Sequence, residues 1–396
     1  MLDVGLIQEA LRQSALDGWL FYDFRGSNAL ARRILALDDR SMGSRRFLYW
    51  IPAEGQPRKL VHRIEAGALD ALPGEKHVYL SWQEFEAGIA ALVQGSRRIA
   101  MEYAPRNAIP YVSRVDAGTV ELVSGLGVQV VSSGDLIQQF EAAWSDQQWQ
   151  GHLQAAKYTD SAYARAWAFI ADRVRRDGSV LETAVQQVIL DHFAQHGLVC
   201  DHGPIVGVGP HSGDPHFETC PEHDMPIRPG DLVLIDLWAK MNQPGAVYSD
   251  LTRMAVVDTV AQEQHAAVFE VVCRARDAAI DKVRSALRAN EPICGWHVDD
   301  AARHVIEDAG FGPQFIHRTG HSIGQEVHGN GANMDNLEMH DERRILPRTC
   351  FSVEPGIYLP EFGMRSEVNV FVDASRQVHV TGGQPQTAIM PILAHF

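Results

Sequence analysis

The hydrophobic positions of this chain change period along its length. Leu6 to Leu16 keep a helical spacing, Asp17-Gly18 interrupts it, and Trp19-Leu20-Phe21-Tyr22 forms an apolar run of strand length. Strand-like runs recur at 46–51, ended by Pro52, near 59–62, at 98–103 and at Val128–Val131. The spacing over 82–93 and near 115–122 is helical. This alternation predicts an α/β first domain. Ser132-Ser133-Gly134-Asp135 can start another helix. The polar run Ser145-Asp146-Gln147-Gln148, flanked by Trp144 and Trp149, predicts a junction with the two tryptophans packed between domains. The boundary is placed near 150, giving domains 1–150 and 151–396.

Beyond the junction the helical periods lengthen. Leu153–Arg175 has an alanine-rich apolar face. Ser179-Val180-Leu181-Glu182 resembles a capping box before a helix that runs to about Gln195 and stops at Gly197. Asp231 to Trp238 reads as a largely buried strand. Two more helical blocks follow, 261–287 and 298–309, and then strand-like segments at 349–357 and 364–372. Paired helices thus recur before strand-rich segments, a hint of internal duplication.

Composition narrows the function. The 396 residues are 45% hydrophobic and 21% charged, as in an ordinary globular protein, with a formal net charge of −15. That charge argues against broad binding to nucleic acid or to an anionic membrane. No uninterrupted apolar stretch approaches a membrane span, and no signal peptide is evident. Five cysteines at irregular spacings read as free thiols, which suits a cytoplasmic location.

The candidate chemistry centres on His317-Arg318-Thr319-Gly320-His321-Ser322-Ile323-Gly324-Gln325-Glu326-Val327-His328, where three histidines fall within twelve residues. Histidine is costly to bury unless both ring nitrogens find partners. Four acids stand in short distinctive settings elsewhere: Asp236 after the apolar Leu232–Ile235, Asp250 in Tyr248-Ser249-Asp250-Leu251-Thr252-Arg253, Glu354 before Pro355-Gly356, and Glu367 in Arg365-Ser366-Glu367. Asp236 and Asp250 can face one another across antiparallel strands joined by a loop around Asn242–Gly245. Four carboxylates and one imidazole form a hard, oxygen-rich donor set, better suited to two divalent cations than to one structural zinc.

These segments, with Asp214-Pro215-His216-Phe217, resemble the pita-bread metallopeptidases, most closely the Xaa-Pro dipeptidases (prolidases) and proline aminopeptidases. Their order agrees with the family over 205–372, and Met101-Glu102-Tyr103-Ala104-Pro105 is similar to part of an N-terminal domain in prolidase-like members. The resemblance implies an α+β pita-bread catalytic domain behind a smaller creatinase-like α/β domain. It implies that Asp236, Asp250, His321, Glu354 and Glu367 hold two metals, with Asp250 and Glu367 bridging. His216 and His328 would stabilise the tetrahedral intermediate, Glu354 would shuttle the proton, and Arg365 would orient Glu367 or Asp236 or contact substrate. His317, Trp238 and Tyr248 are expected around the substrate; Arg365, His317 and His340 are candidates for its carboxylate. Leu237-Trp238 departs from the family, where glycine and small residues are common, and that touches substrate preference more than metal binding.

The expected reaction is hydrolysis of Xaa-Pro dipeptides by a homodimer, with no nucleic-acid or membrane partner. Mn(2+) is the preferred ion, with Co(2+), Zn(2+) or Fe(2+) as substitutes. A proline aminopeptidase taking longer peptides is the first alternative. A related non-peptidase hydrolase or lyase, and a metal-free binding protein, are the others.

Overall fold

The computed structural model describes residues 2–37 and 43–396, which divide into two compact units, one reaching Glu141 and the other starting at Ala142. In the first unit, six strands form a mixed sheet. Its order is Glu75–Tyr79, Arg58–His62, Phe47–Pro52, Gly18–Asp23, Arg98–Met101 and Gln129–Ser132. The continuous apolar run at Trp19–Tyr22 has a simple cause. Alternate side chains point to opposite faces, and both faces are covered. Trp19 and Phe21 join one apolar cluster, while Leu20 and Tyr22 join the other. Strand Glu75–Tyr79 escapes the hydrophobic pattern because it is a sheet edge whose first four residues are exposed.

The second unit opens with the helix Asp146–Asp177, which is longer than its apolar period suggests. The polar run is the first turn of this helix and not a separator. Ser145 Oγ accepts from Gln148 N at 3.1 Å, and Gln148 Oε1 accepts from Ser145 N at 2.9 Å, a complete capping box. Trp144 and Trp149 also differ from expectation: both stack on Phe371 of this same unit, at 5.3 and 4.2 Å. The expected box at Ser179 is absent, since Leu181 holds the N-cap position of helix Glu182–Gln195 without a side-chain bond. Glu182 turns inward instead. Its carboxylate accepts from Val208 N, Met225 N and His211 Nδ1.

Strands Leu232–Met241 and Ser249–Val256 form the central antiparallel pair of this unit. Val233, Ile235, Leu237, Leu251 and Ala255 pack in one core with the helix Asp146–Asp177. On the opposite face, Leu232, Leu234, Met254 and Val256 enter a second core with the helices Glu263–Arg288 and Gly295–Asp308. That second face is where Asp236, Trp238, Asp250 and Thr252 continue the strands, so an apolar surface becomes acidic partway along.

The two closing segments are each broken at their acid. Cys350–Val353 and Gly356–Tyr358 are separate strands around Glu354-Pro355, and Gly363–Arg365 and Val368–Val372 are separate around Ser366-Glu367. Pro355 has no N–H for a ladder bond, which explains one interruption. The breaks lie opposite one another, between the pairs Val353↔Val368 and Gly356↔Arg365. No helix among the described residues is long and apolar enough to cross a membrane.

Candidate active site

The register of the central pair brings its two acids to one place. Asp236 lies opposite Thr252, and Trp238 opposite Asp250, so all four share a face. Tyr163, buried on the long helix, donates to Leu251 O at 2.6 Å and to Ile235 O at 3.3 Å, tying both strands down behind the acids. Asn369 clamps the Asp250 backbone: its Oδ1 accepts from Asp250 N at 3.0 Å and its Nδ2 donates to Asp250 O.

The broken hairpin supplies the other two acids. Glu367 Oε2 accepts from Thr252 Oγ1 at 2.8 Å, and Glu354 Oε1 accepts from Ser352 Oγ at 3.0 Å. His321 Nε2 stands 3.3 Å from Glu354 Oε1 and 3.5 Å from Asp250 Oδ2. Its Nδ1 faces Ser322 O at 3.2 Å, which assigns the ring proton to Nδ1 and leaves Nε2 as a lone-pair donor. Ligand atoms of Asp250, His321 and Glu367 all lie within 4.8 Å of one another.

Electrostatics sets the character of this cluster. Burial pushes the carboxyls of Asp236, Asp250 and Glu367 above the usual carboxylate range, and their acidic neighbours push further in the same direction. Arg365 opposes this from within: its Nη2 donates to Asp236 Oδ2 at 2.5 Å and its Nε to Thr252 Oγ1 at 3.0 Å. One arginine is not enough for four acids. Asp236 Oδ1 and Glu367 Oε1 are both buried without a hydrogen-bond partner. Unpartnered buried acceptors are costly. A hard oxygen-rich set with spare lone pairs, aimed inward with an imidazole, fits divalent cations.

The surrounding histidines separate into different environments. His317 Nδ1 bonds Arg318 O at 2.6 Å, and its Nε2 bonds the Tyr358 hydroxyl at 2.8 Å, which also accepts from Arg365 Nη1 at 3.2 Å. Burial pulls the His317 pKa down to about 4, so this ring is neutral and carries its partner chain back to Arg365. The His328 ring packs edge-on against His321 at 4.2 Å, with part of its surface open to solvent. His216 is exposed, on a loop where Asp214 Oδ1 accepts from its backbone N–H at 2.9 Å. His340 is exposed and bonded to Asn336 Oδ1 at 2.7 Å. Trp238 donates its indole N–H to Asp201 Oδ1 at 2.8 Å, and the Tyr248 ring lies under Lys240 Nζ at 4.6 Å.

Thr252, Ser352, Tyr358, Asn369 and Tyr163 hold the acids in place and were not singled out by the residue pattern. Thr252, Ser352 and Tyr358 sit inside or beside the acid-bearing motifs, so motif membership was an available signal. Tyr163 had only its place on the apolar face of a helix.

Comparison with known proteins agrees with this architecture. Residues 150–374 match the model of metallopeptidase family M24. A probable dipeptidase PepE of Mycobacterium tuberculosis is 27% identical over 351 residues, covering 86% of this chain and 85% of that protein. An Xaa-Pro dipeptidase of Lactobacillus delbrueckii subsp. lactis is 34% identical over 194 residues, 48% of each chain. The crystal structure of dipeptidase PepE from Mycobacterium ulcerans is similar over 98% of this chain and 96% of that one, with a TM-score of 0.67 and 25% identity. With that family match spanning more than half of its length, and the acids inside it meeting in one buried cluster on an α+β pita-bread scaffold, this chain belongs to the metal-dependent peptidases of family M24.

Proposed function

We propose that this protein is a dinuclear Xaa-Pro dipeptidase that hydrolyses the amide bond before proline and releases free proline. The observation that carries the metal part of the reading is the pair of unpartnered buried oxygens, Asp236 Oδ1 and Glu367 Oε1, beside Asp250, Glu354 and His321 Nε2. Asp236, Asp250, His321, Glu354 and Glu367 hold two divalent cations, with Mn(2+) favoured by the oxygen-rich set and Co(2+), Zn(2+) or Fe(2+) able to substitute. When bound, the ions polarise the scissile carbonyl and make a water acidic enough to attack near neutral pH. The substrate part of the reading is supported by the similarity to the Lactobacillus Xaa-Pro dipeptidase.

The chain's own groups do the rest. Glu354 Oε1, held by Ser352, takes the proton of the attacking water and returns it to the departing proline nitrogen. That nitrogen lacks an amide hydrogen, so recognition relies on pocket shape. His317 and Tyr358 form one polar wall beside Arg365, suited to the proline end of the substrate. His328 and His216 donate to the oxyanion as it develops, His328 from beside His321 and His216 from its exposed loop.

The test is an activity panel of Xaa-Pro dipeptides and Xaa-Pro-Xaa tripeptides at defined Mn, Co and Zn loading. Dipeptides should be preferred. A preference for tripeptides would overturn the dipeptidase reading in favour of an aminopeptidase. Failure to retain any divalent metal after controlled reconstitution, read by elemental analysis, would sink the dinuclear centre.

A further inference from the structure

Trp238 meets an acid that lies outside every motif segment, Asp201. It follows the short strand Leu198–Val199, which pairs with Lys240–Met241 at the far end of the strand bearing Asp236 and Trp238. Asp201 Oδ1 accepts from Trp238 Nε1 at 2.8 Å and from His202 N at 3.1 Å, while His202 Nδ1 stands 3.4 Å from Oδ2. Because Trp238 sits directly opposite Asp250, Asp201 lies one indole away from the metal-ligand cluster.

This placement is not what stability asks for. The indole N–H needs one acceptor, and a neutral amide or a water would serve. A carboxylate adds repulsion to a centre already crowded with acids. Burial works against its charge, but the Trp238 indole and backbone amides outweigh that and keep its pKa below the ordinary value. Its side chain remains 45% exposed, so a negative charge fixed by Trp238 keeps one edge free of protein.

Resting on the peptidase reading above, we propose that Asp201, positioned by Trp238, is a specificity residue that binds a cationic amino group on the residue before the scissile bond. An amine is the complement of an open carboxylate, and a charge-assisted N–H···O bond is about twice as strong as a neutral one. The amine comes either from a basic side chain or from the substrate's own terminus, and suitable substrates separate the two. The bulk of Trp238 then has a role, because the indole both holds the acid and walls the same subsite.

The experiment compares Lys-Pro, Met-Pro and Gly-Pro on wild type, Asp201→Asn and Asp201→Glu, all reconstituted with Mn(2+) and checked for equal metal content. Asparagine keeps the oxygen that accepts from Trp238 and removes only the charge. Loss of one charge-assisted contact should change KM by roughly 5- to 10-fold. If the side chain is the ligand, the kcat/KM ratio of Lys-Pro to Met-Pro falls by that factor in the asparagine variant and recovers in the glutamate variant. If the terminus is the ligand, KM rises for all three substrates together and again recovers with glutamate. Unchanged KM and unchanged ratios in Asp201→Asn overturn the inference while leaving the peptidase reading intact. A wild-type enzyme that cleaves other dipeptides but none of these three overturns the Xaa-Pro reading itself.

Discussion

Thr252 is the residue on which the geometry of the site turns. Its hydroxyl donates to Glu367 and accepts from Arg365, so one Oγ1 fixes the direction of an acid and of the arginine that counters Asp236. Thr252→Val keeps the shape and removes that relay. Losses of about 10- to 100-fold in metal affinity or activity are usual for such supporting contacts. Thr252→Ser should restore most of the loss, and metal titration of the two variants checks it. The acids themselves should behave differently from the histidine beside them. Asp250→Ala or Glu367→Ala should lose both metals more readily than His328→Ala; equal occupancy by elemental analysis across the three would refute that division. Asp236 and Glu354 carry local signatures in the sequence, a charge closing an apolar run and one standing before Pro-Gly, whereas Asp250 and Glu367 stand out only through the short motifs around them. The relay was not legible there, because Thr252 and Arg365 are separated by 113 positions and only their register-defined neighbours reveal the bond. Asp201 had no signature either: it is an acid in a loop until Trp238 is seen to donate to it.

At the scale of elements, the site depends on how firmly two strands are held from behind. Tyr163 bonds the backbone carbonyls of both Ile235 and Leu251 from the far face, in the layer directly beneath Asp236 and Asp250. Tyr163→Phe leaves the ring in place and strips one hydroxyl from two carbonyls. The expected cost is about 1–2 kcal/mol of stability, read as a shift of the urea midpoint at constant slope. A change in slope would instead mean that the variant had altered the extent of folding. Periodicity located this helix and both strands, since long apolar patterns survive any packing arrangement. It failed at the ends. The polar first turn at 146–149 reads as linker until Ser145 and Gln148 are seen to cap each other. The edge strand Glu75–Tyr79 buries too little to leave a pattern. The interruptions at Glu354-Pro355 and Ser366-Glu367 merge into their flanking apolar runs, although they are what swing those acids out of the ladder.

On the scale of the whole molecule, the formal charge of −15 conceals where acids are buried, and each unit holds some that matter. In the second unit the proposed metal ions would supply the counter-charge. Chelation should abolish activity and lower the Tm by several degrees, because ligand bound at about 100 times its Kd contributes about 2.7 kcal/mol. Mn(2+) addition should reverse both. In the first unit, Glu102 is fully buried within hydrogen-bond reach of Trp19 Nε1 at 2.5 Å, Asn28 Nδ2 at 2.6 Å and Ser133 Oγ at 3.4 Å. Burial outweighs those donors and raises its pKa from 4.5 to about 7. The folded state therefore holds the proton more tightly than the unfolded chain. Its stabilising contribution is complete below about pH 4.5 and is lost as pH climbs through 7, a change of about 3 kcal/mol. Glu102→Gln cannot titrate, so the difference in stability between wild type and variant should shift by that amount from pH 4.5 to pH 8. The Trp19 indole N–H resonance should move over the same interval in the wild type alone. Parallel stability curves for the two proteins, with an immobile Trp19 signal, would show that Glu102 stays ionised throughout and that its three donors, not burial, decide its charge.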